Sequence, residues 1–150
     1  MRNDMELRKQ WRDVGLADLP AIAREVLTAC ADAGARVLAL HGEMGAGKTT
    51  LVRAMADVLG VTDEVASPTF GLINVYRTSA GGRIHHMDWY RVEGEGELWD
   101  AGVPELLDSG DMCWVEWPER AEALFPVSTA VLTIEVEGDA EKRVVSLFSA

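Results

Sequence analysis

The chain has 150 residues, a length that fits one domain able to bury about two thirds of the surface its unfolded form exposes. Hydrophobic residues at 48%, charged residues at 26% and a mean hydropathy of +0.01 exclude a disordered chain, and no window approaches the roughly 18 consecutive apolar residues of a membrane-spanning helix. Fourteen basic against twenty-five acidic side chains give a net charge of -11, which repels phosphate backbones and argues against DNA binding or unaided RNA binding.

The acidic excess is uneven. Residues 1–75 carry 8 basic and 10 acidic side chains (net -2), whereas 76–150 carry 6 and 15 (net -9). Residues 1–12 are polar and mixed in charge rather than signal-like, so the expected location is the cytoplasm. Cys30 and Cys113 stand in no CxxC spacing and each lies in an apolar run, so both are expected as reduced core residues.

In chain order, residues 1–14 suggest no element and are taken as a variable extension of a single domain spanning 1–150. Leu19, Ile22, Ala23, Val26, Leu27 and Cys30 then fall on one face of a helix. Asp18 is its expected N-cap, Pro20 lies in the first turn and Gly34 just past the end. Arg36–Leu40 is a short apolar run bounded by glycines, which predicts a strand buried on both faces. A second helix is predicted from Lys48 to Leu59, stopped by Gly60. Leu72–Arg77 and Arg83–Met87 flank a Gly-rich turn and predict an antiparallel hairpin.

The acidic stretch Glu93–Asp108 predicts a short helix broken near Gly102 and Pro104. Met112–Val115 predicts another buried strand, ending in Glu116-Trp-Pro-Glu119, with a turn at the proline and a helical segment over Arg120–Leu124. Val131–Val136 and Arg143–Phe148 predict a second hairpin around Gly138-Asp139. The sum is an α/β fold, a small mixed sheet with helices on its faces.

Gly42-Glu-Met-Gly-Ala-Gly-Lys-Thr49 matches the P-loop pattern GxxxxGK[ST] between a strand and a helix. Glycines let successive backbone amides curl around a phosphate, and the helix start adds the positive end of its dipole. Glu43, Met44, Gly45, Ala46, Gly47, Lys48, Thr49 and Thr50 are therefore the expected nucleotide cradle, with Lys48 between the β- and γ-phosphates and the Thr49 hydroxyl at a magnesium position. A carboxylate near that magnesium is also needed. Asp88 and Glu116 qualify, because each ends a predicted strand at the sheet edge where α/β ligands bind.

Ser67-Pro-Thr-Phe70 follows the P-loop helix, where a mobile segment often senses the γ-phosphate, and Thr69 is the sensor candidate. His85 and His86 are adjacent on a strand and point to opposite faces, which argues against a shared metal. His41 is read as structural, and Trp117, beside Glu116, as a ring able to lie against the nucleotide.

Gly42–Thr50, Ser67–Phe70, His86-Met-Asp-Trp-Tyr-Arg91 and Val115-Glu-Trp-Pro-Glu-Arg120, in that order and spacing, resemble the TsaE (YjeE) family over residues 15–148. The resemblance implies a P-loop NTPase-type three-layer sandwich and a cytosolic ATPase, weak alone, for threonylcarbamoyladenosine modification of tRNA. It also implies ATP/ADP and Mg2+ as ligands, and TsaB and TsaD as partners through which tRNA is met indirectly. By position it makes Lys48, Thr49, Thr69, Asp88 and Glu116 the functional residues, with Trp117 after the second acid. Trp89 and Trp114 are larger than the aliphatic residues expected at those positions, which bears on packing more than chemistry.

Two other readings share the P-loop. A small-molecule kinase needs arginines and a lid, yet after Gly110 the basic residues are Arg120, Lys142 and Arg143. A nucleotide-dependent switch reading guanine carries an Asn-Lys-x-Asp motif, and neither Asn3 nor Asn74 is followed by lysine.

Overall fold

The computed structural model describes residues 4–68, 72–138 and 141–150. Among the described residues seven strands form one mixed sheet: β1 (Glu6–Val14), β2 (Val37–His41), β3 (Ile73–Arg77), β4 (Arg83–Asp88), β5 (Met112–Glu116), β6 (Ala130–Val136) and β7 (Arg143–Ser149). Their order across the sheet is β1-β7-β6-β2-β5-β4-β3. The middle, β6-β2-β5-β4, is parallel, and the hairpins β3–β4 and β6–β7 are antiparallel. Parallel neighbours need crossovers, and helices supply them.

Helices α1 (Leu19–Asp32) and α2 (Lys48–Val58) cover one face, where Ile22, Ala23, Val26, Leu51, Val52 and Met55 pack on Leu38, Leu40, Ile84, Trp114 and Leu132. Shorter helices α3 (Glu95–Asp100) and α4 (Val103–Leu107) cover the other, where Leu98, Val103 and Leu107 meet Val37, Met87, Cys113 and Val115. Strand side chains alternate between the two cores because successive residues point to opposite faces. The result is a three-layer α/β sandwich, as the sequence predicts.

Several elements differ locally from the expectation. Glu6–Val14, given no element by its sequence, pairs antiparallel with β7 as an edge strand. It is mostly exposed and lacks an apolar alternation, so ladder bonds and side-chain links such as Gln10 Nε2 to Ser146 Oγ (2.9 Å) define it. Asp18 makes no side-chain cap to α1; its Oδ2 accepts from the Gly15 amide at 2.8 Å and closes the preceding turn. The acidic stretch forms two helices, divided at Gly102 where φ is +75°. Residues 120–124 form no α-helix but belong to 3-10 turns at Pro118–Arg120 and Glu122–Leu124.

Both cysteines are buried free thiols, as expected. Trp89 and Trp114 are accommodated: both are buried, and the Trp89 ring lies 5.1 Å from that of Phe125. Among the described residues no helix is long and apolar enough to cross a membrane.

Candidate functional site

Strand β2 ends at His41, and the loop to α2 turns on Gly45 and Gly47, whose φ values of +79° and +109° favour glycine. Glu43, Met44 and Gly45 are exposed, whereas Ala46 and Lys48 are buried. Arg143 of β7 braces the loop from behind, its Nε donating to the Ala46 carbonyl at 2.8 Å. The Lys48 ammonium donates to the Gly42 carbonyl and sits 3.6 Å from the centroid of the Trp117 ring. Burial lowers the Lys48 pKa from its ordinary value, and the charges of Glu116, Glu119 and Asp88 oppose that shift.

Thr49 lies in the first turn of α2, and its Oγ1 is 3.1 Å and 3.2 Å from the two Glu116 oxygens. Ser67 Oγ is 2.9 Å from the same hydroxyl. Glu116 reaches this position as the last residue of β5, on the α2 side of the sheet, and is buried at 2% exposure. Asp88 ends the neighbouring β4 in direct register with it. The half-buried Asp88 carboxylate accepts from the Tyr90 amide at 2.9 Å. Its pKa is raised, chiefly by burial; the Tyr90 bond opposes this and the Glu116 charge adds to it. Structure thus brings Lys48, Thr49, Glu116 and Trp117 into contact and sets Asp88 one strand away.

Trp117 adopts a left-handed conformation (φ +58°, ψ +50°) that turns the chain sharply after β5. This swings its indole back over Lys48 and against Tyr90, 4.9 Å between centroids. Thr69 lies outside the described residues, though Ser67 of the same motif is in place. His41 Nδ1 stands 3.8 Å from a Glu119 oxygen. Thr50 lines a cleft of about 760 Å3 with Gly45, Gly47, Leu16 and Lys142, beside the loop and between α1 and the β6–β7 turn.

Sequence reasoning missed His86 and Tyr76. His86 is fully buried, with Nε2 2.7 Å from Glu116 Oε2 and Nδ1 2.9 Å from the Tyr76 hydroxyl. The adjacent His85 points the other way, to Asp111 at 3.0 Å. A signal was available: His86 and Asp88 are two apart on one strand and so share a face. Which acid that face meets depends on strand order, which the sequence does not state.

The model of the family described as "Threonylcarbamoyl adenosine biosynthesis protein TsaE" matches residues 16–145. The chain belongs to the TsaE family. Its similarity to the tRNA threonylcarbamoyladenosine biosynthesis protein TsaE of Bacillus subtilis is 38% identity over 135 residues, covering 90% of this chain and 82% of that one. The Haemophilus influenzae TsaE is 33% identical over 121 residues, 73% of this chain and 76% of its own. The crystal structure of Bacillus subtilis YdiB superimposes with a TM-score of 0.69 at 30% identity, covering 96% of this chain and 87% of that one. For a TsaE protein with this P-loop NTPase fold, nucleotide binding is the implied property of the Gly42–Thr49 loop.

Proposed function

We propose that the protein is a magnesium-dependent ATPase of tRNA threonylcarbamoyladenosine modification, acting in the cytoplasm with TsaB and TsaD and meeting tRNA through that complex. The observation that carries this reading is the contact between the Thr49 hydroxyl, at the start of the P-loop helix, and the buried Glu116 carboxylate. Family membership supplies the pathway, and the charge of -11 supports delegating tRNA contact to partners.

The loop amides from Gly45 to Thr50 and the α2 N-terminus provide the phosphate cradle. Lys48 is held by a neutral carbonyl and a ring face, partners that an anionic phosphate outcompetes for the ammonium. Thr49, Ser67 and Glu116 gather oxygen donors at one point, the donor type a hard divalent cation requires, so the residues fit magnesium. Magnesium bound there supplies charge neutralisation of the phosphates during transfer. Asp88 adds a second carboxylate for the hydrolytic step. Trp117 flanks the phosphate end, and the cleft lined by Leu16, Thr50 and Lys142 offers the nucleoside a place.

The test is phosphate release from magnesium-ATP by wild-type and Lys48→Ala protein, alone and with TsaB and TsaD. Expected are low activity alone, a strong increase with partners, and loss of both in Lys48→Ala. A wild type that stays inactive with partners refutes the ATPase reading. Tight tRNA binding by the isolated protein at near-physiological salt refutes the indirect role.

A further inference from the structure

We propose that His86, held by Tyr76, is the positioning residue of Glu116, and that the pair ties this carboxylate to the Ala66–Ser67 segment. The proposal rests on reading Thr49 and Glu116 as the magnesium end of a nucleotide site. The juxtaposition follows from register. Ile84, His86 and Asp88 alternate onto the α2 face of β4, and Trp114 and Glu116 onto the same face of β5. His86 pairs directly with Trp114, so Glu116 is its diagonal neighbour. On the other side His86 pairs with Asn74, so Tyr76 is the diagonal neighbour there. Long side chains bridge such diagonals.

Donor counting orders the network. A carboxylate only accepts, so His86 Nε2, 2.7 Å from Glu116, carries the proton. On the opposite side of the ring, Nδ1 lies 2.9 Å from the Tyr76 hydroxyl. The Ala66 carbonyl lies within reach of both the Tyr76 hydroxyl (3.1 Å) and Asn74 Nδ2 (2.9 Å). Tyr76 therefore bridges the His86 ring and the Ala66 carbonyl, and Asn74 holds the same carbonyl beside it. From the other direction Ser67 donates to Thr49 and Thr49 to Glu116.

The Thr49 hydroxyl and His86 Nε2 thus converge on one carboxylate from two sides. Tyr76, His86 and Glu116 are each at most 2% exposed, so water does not compete for these bonds. Fixing a three-torsion side chain in advance spares the site that ordering during turnover. Because Asn74 and Tyr76 also flank Ala66, movement of the Ala66–Ser67 segment is transmitted to the carboxylate.

Two readouts test this. In nucleotide-free protein, long-range 1H–15N NMR of the histidine rings is expected to show His86 fixed with its proton on Nε2, and to lose that fixed pattern in Tyr76→Phe and Glu116→Ala. A ring whose tautomer ignores both changes overturns the proposal. In ATP turnover with TsaB and TsaD, His86→Leu is expected to lower kcat by about 10- to 100-fold with little change in KM. His86→Gln, whose amide nitrogen reaches the Nε2 position, is expected to restore most of it, and the shorter His86→Asn is not. Wild-type kcat in His86→Leu, or equal rescue by Gln and Asn, also overturns it. If His86→Leu does not fold, His86→Gln against His86→Asn and the wild-type spectrum decide. A wild type without Lys48-dependent turnover refutes the ATPase reading instead, and the NMR comparison still reports on the positioning.

Discussion

Trp117 is a non-glycine residue in the left-handed region at φ +58°, ψ +50°, and that backbone state costs an L-residue about 1–2 kcal/mol. Replacing it by alanine keeps the backbone cost; replacing it by glycine removes it. Both changes delete the same ring, so both lose its contacts with Lys48 (3.6 Å) and Tyr90 (4.9 Å), together worth about 3 kcal/mol for a buried cation over an indole plus an aromatic pair. The difference between the two variants isolates the backbone. Glycine also gains entropy in the unfolded chain, which offsets about 0.4–1 kcal/mol of the relief.

Trp117→Gly is therefore expected to be more stable than Trp117→Ala by about 1 kcal/mol, the reverse of the order at ordinary positions. In a domain of this size that is about 2–4 °C in Tm. Calorimetry or urea unfolding of the two variants, both below wild type, measures it. A Trp117→Ala protein equal to or more stable than Trp117→Gly refutes the left-handed turn, and with it the reason the indole folds back over Lys48.

Lys48→Ala is expected to fold but to lose the nucleotide-induced stabilisation, which for wild type at 100 times the dissociation constant is about 2.7 kcal/mol; thermal-shift titration with ATP reads it, and an undiminished shift refutes the cradle assignment. Arg143→Ala removes the donor that braces the Ala46 carbonyl, so weaker ATP binding with a stability loss of about 1 kcal/mol is expected, checked by titration calorimetry. Leu40→Ala, at a fully buried β2 position, is expected to cost about 2–5 kcal/mol in urea unfolding. Burial pushes the thiols of Cys30 and Cys113 up to about 11 and about 12. They should resist thiol reagents at pH 8 until the protein unfolds. Unfolded thiols ionise near pH 9 while folded ones do not, so stability should fall as pH rises from about 9 toward 11 and 12. Rapid labelling of the native protein refutes that burial.

Much of the fold is written locally in this chain. The apolar spacing of Leu19–Cys30, the glycine-bounded run before Gly42 and the turn residues at 78–82 each declare an element through side chains a few positions apart. The P-loop is likewise contiguous, so Lys48 and Thr49 were legible before any strand was placed. Glu6–Val14 was not legible, because a mostly exposed edge strand needs no apolar period. Its partner β7 lies at the far end of the sequence.

The candidate site divides in the same way. Sequence alone named the candidates: Lys48 and Thr49 by their motif, Glu116 and Asp88 as strand-end acids. Tertiary structure alone decided that Glu116, rather than Asp88, meets the Thr49 hydroxyl, and that Tyr76 and His86 stand behind it. Thr49, Ser67, Tyr76, His86 and Glu116 come from five separate segments. Their meeting depends on β5 inserting between β2 and β4, an order set by burying two apolar faces at once and not by any pattern within one segment.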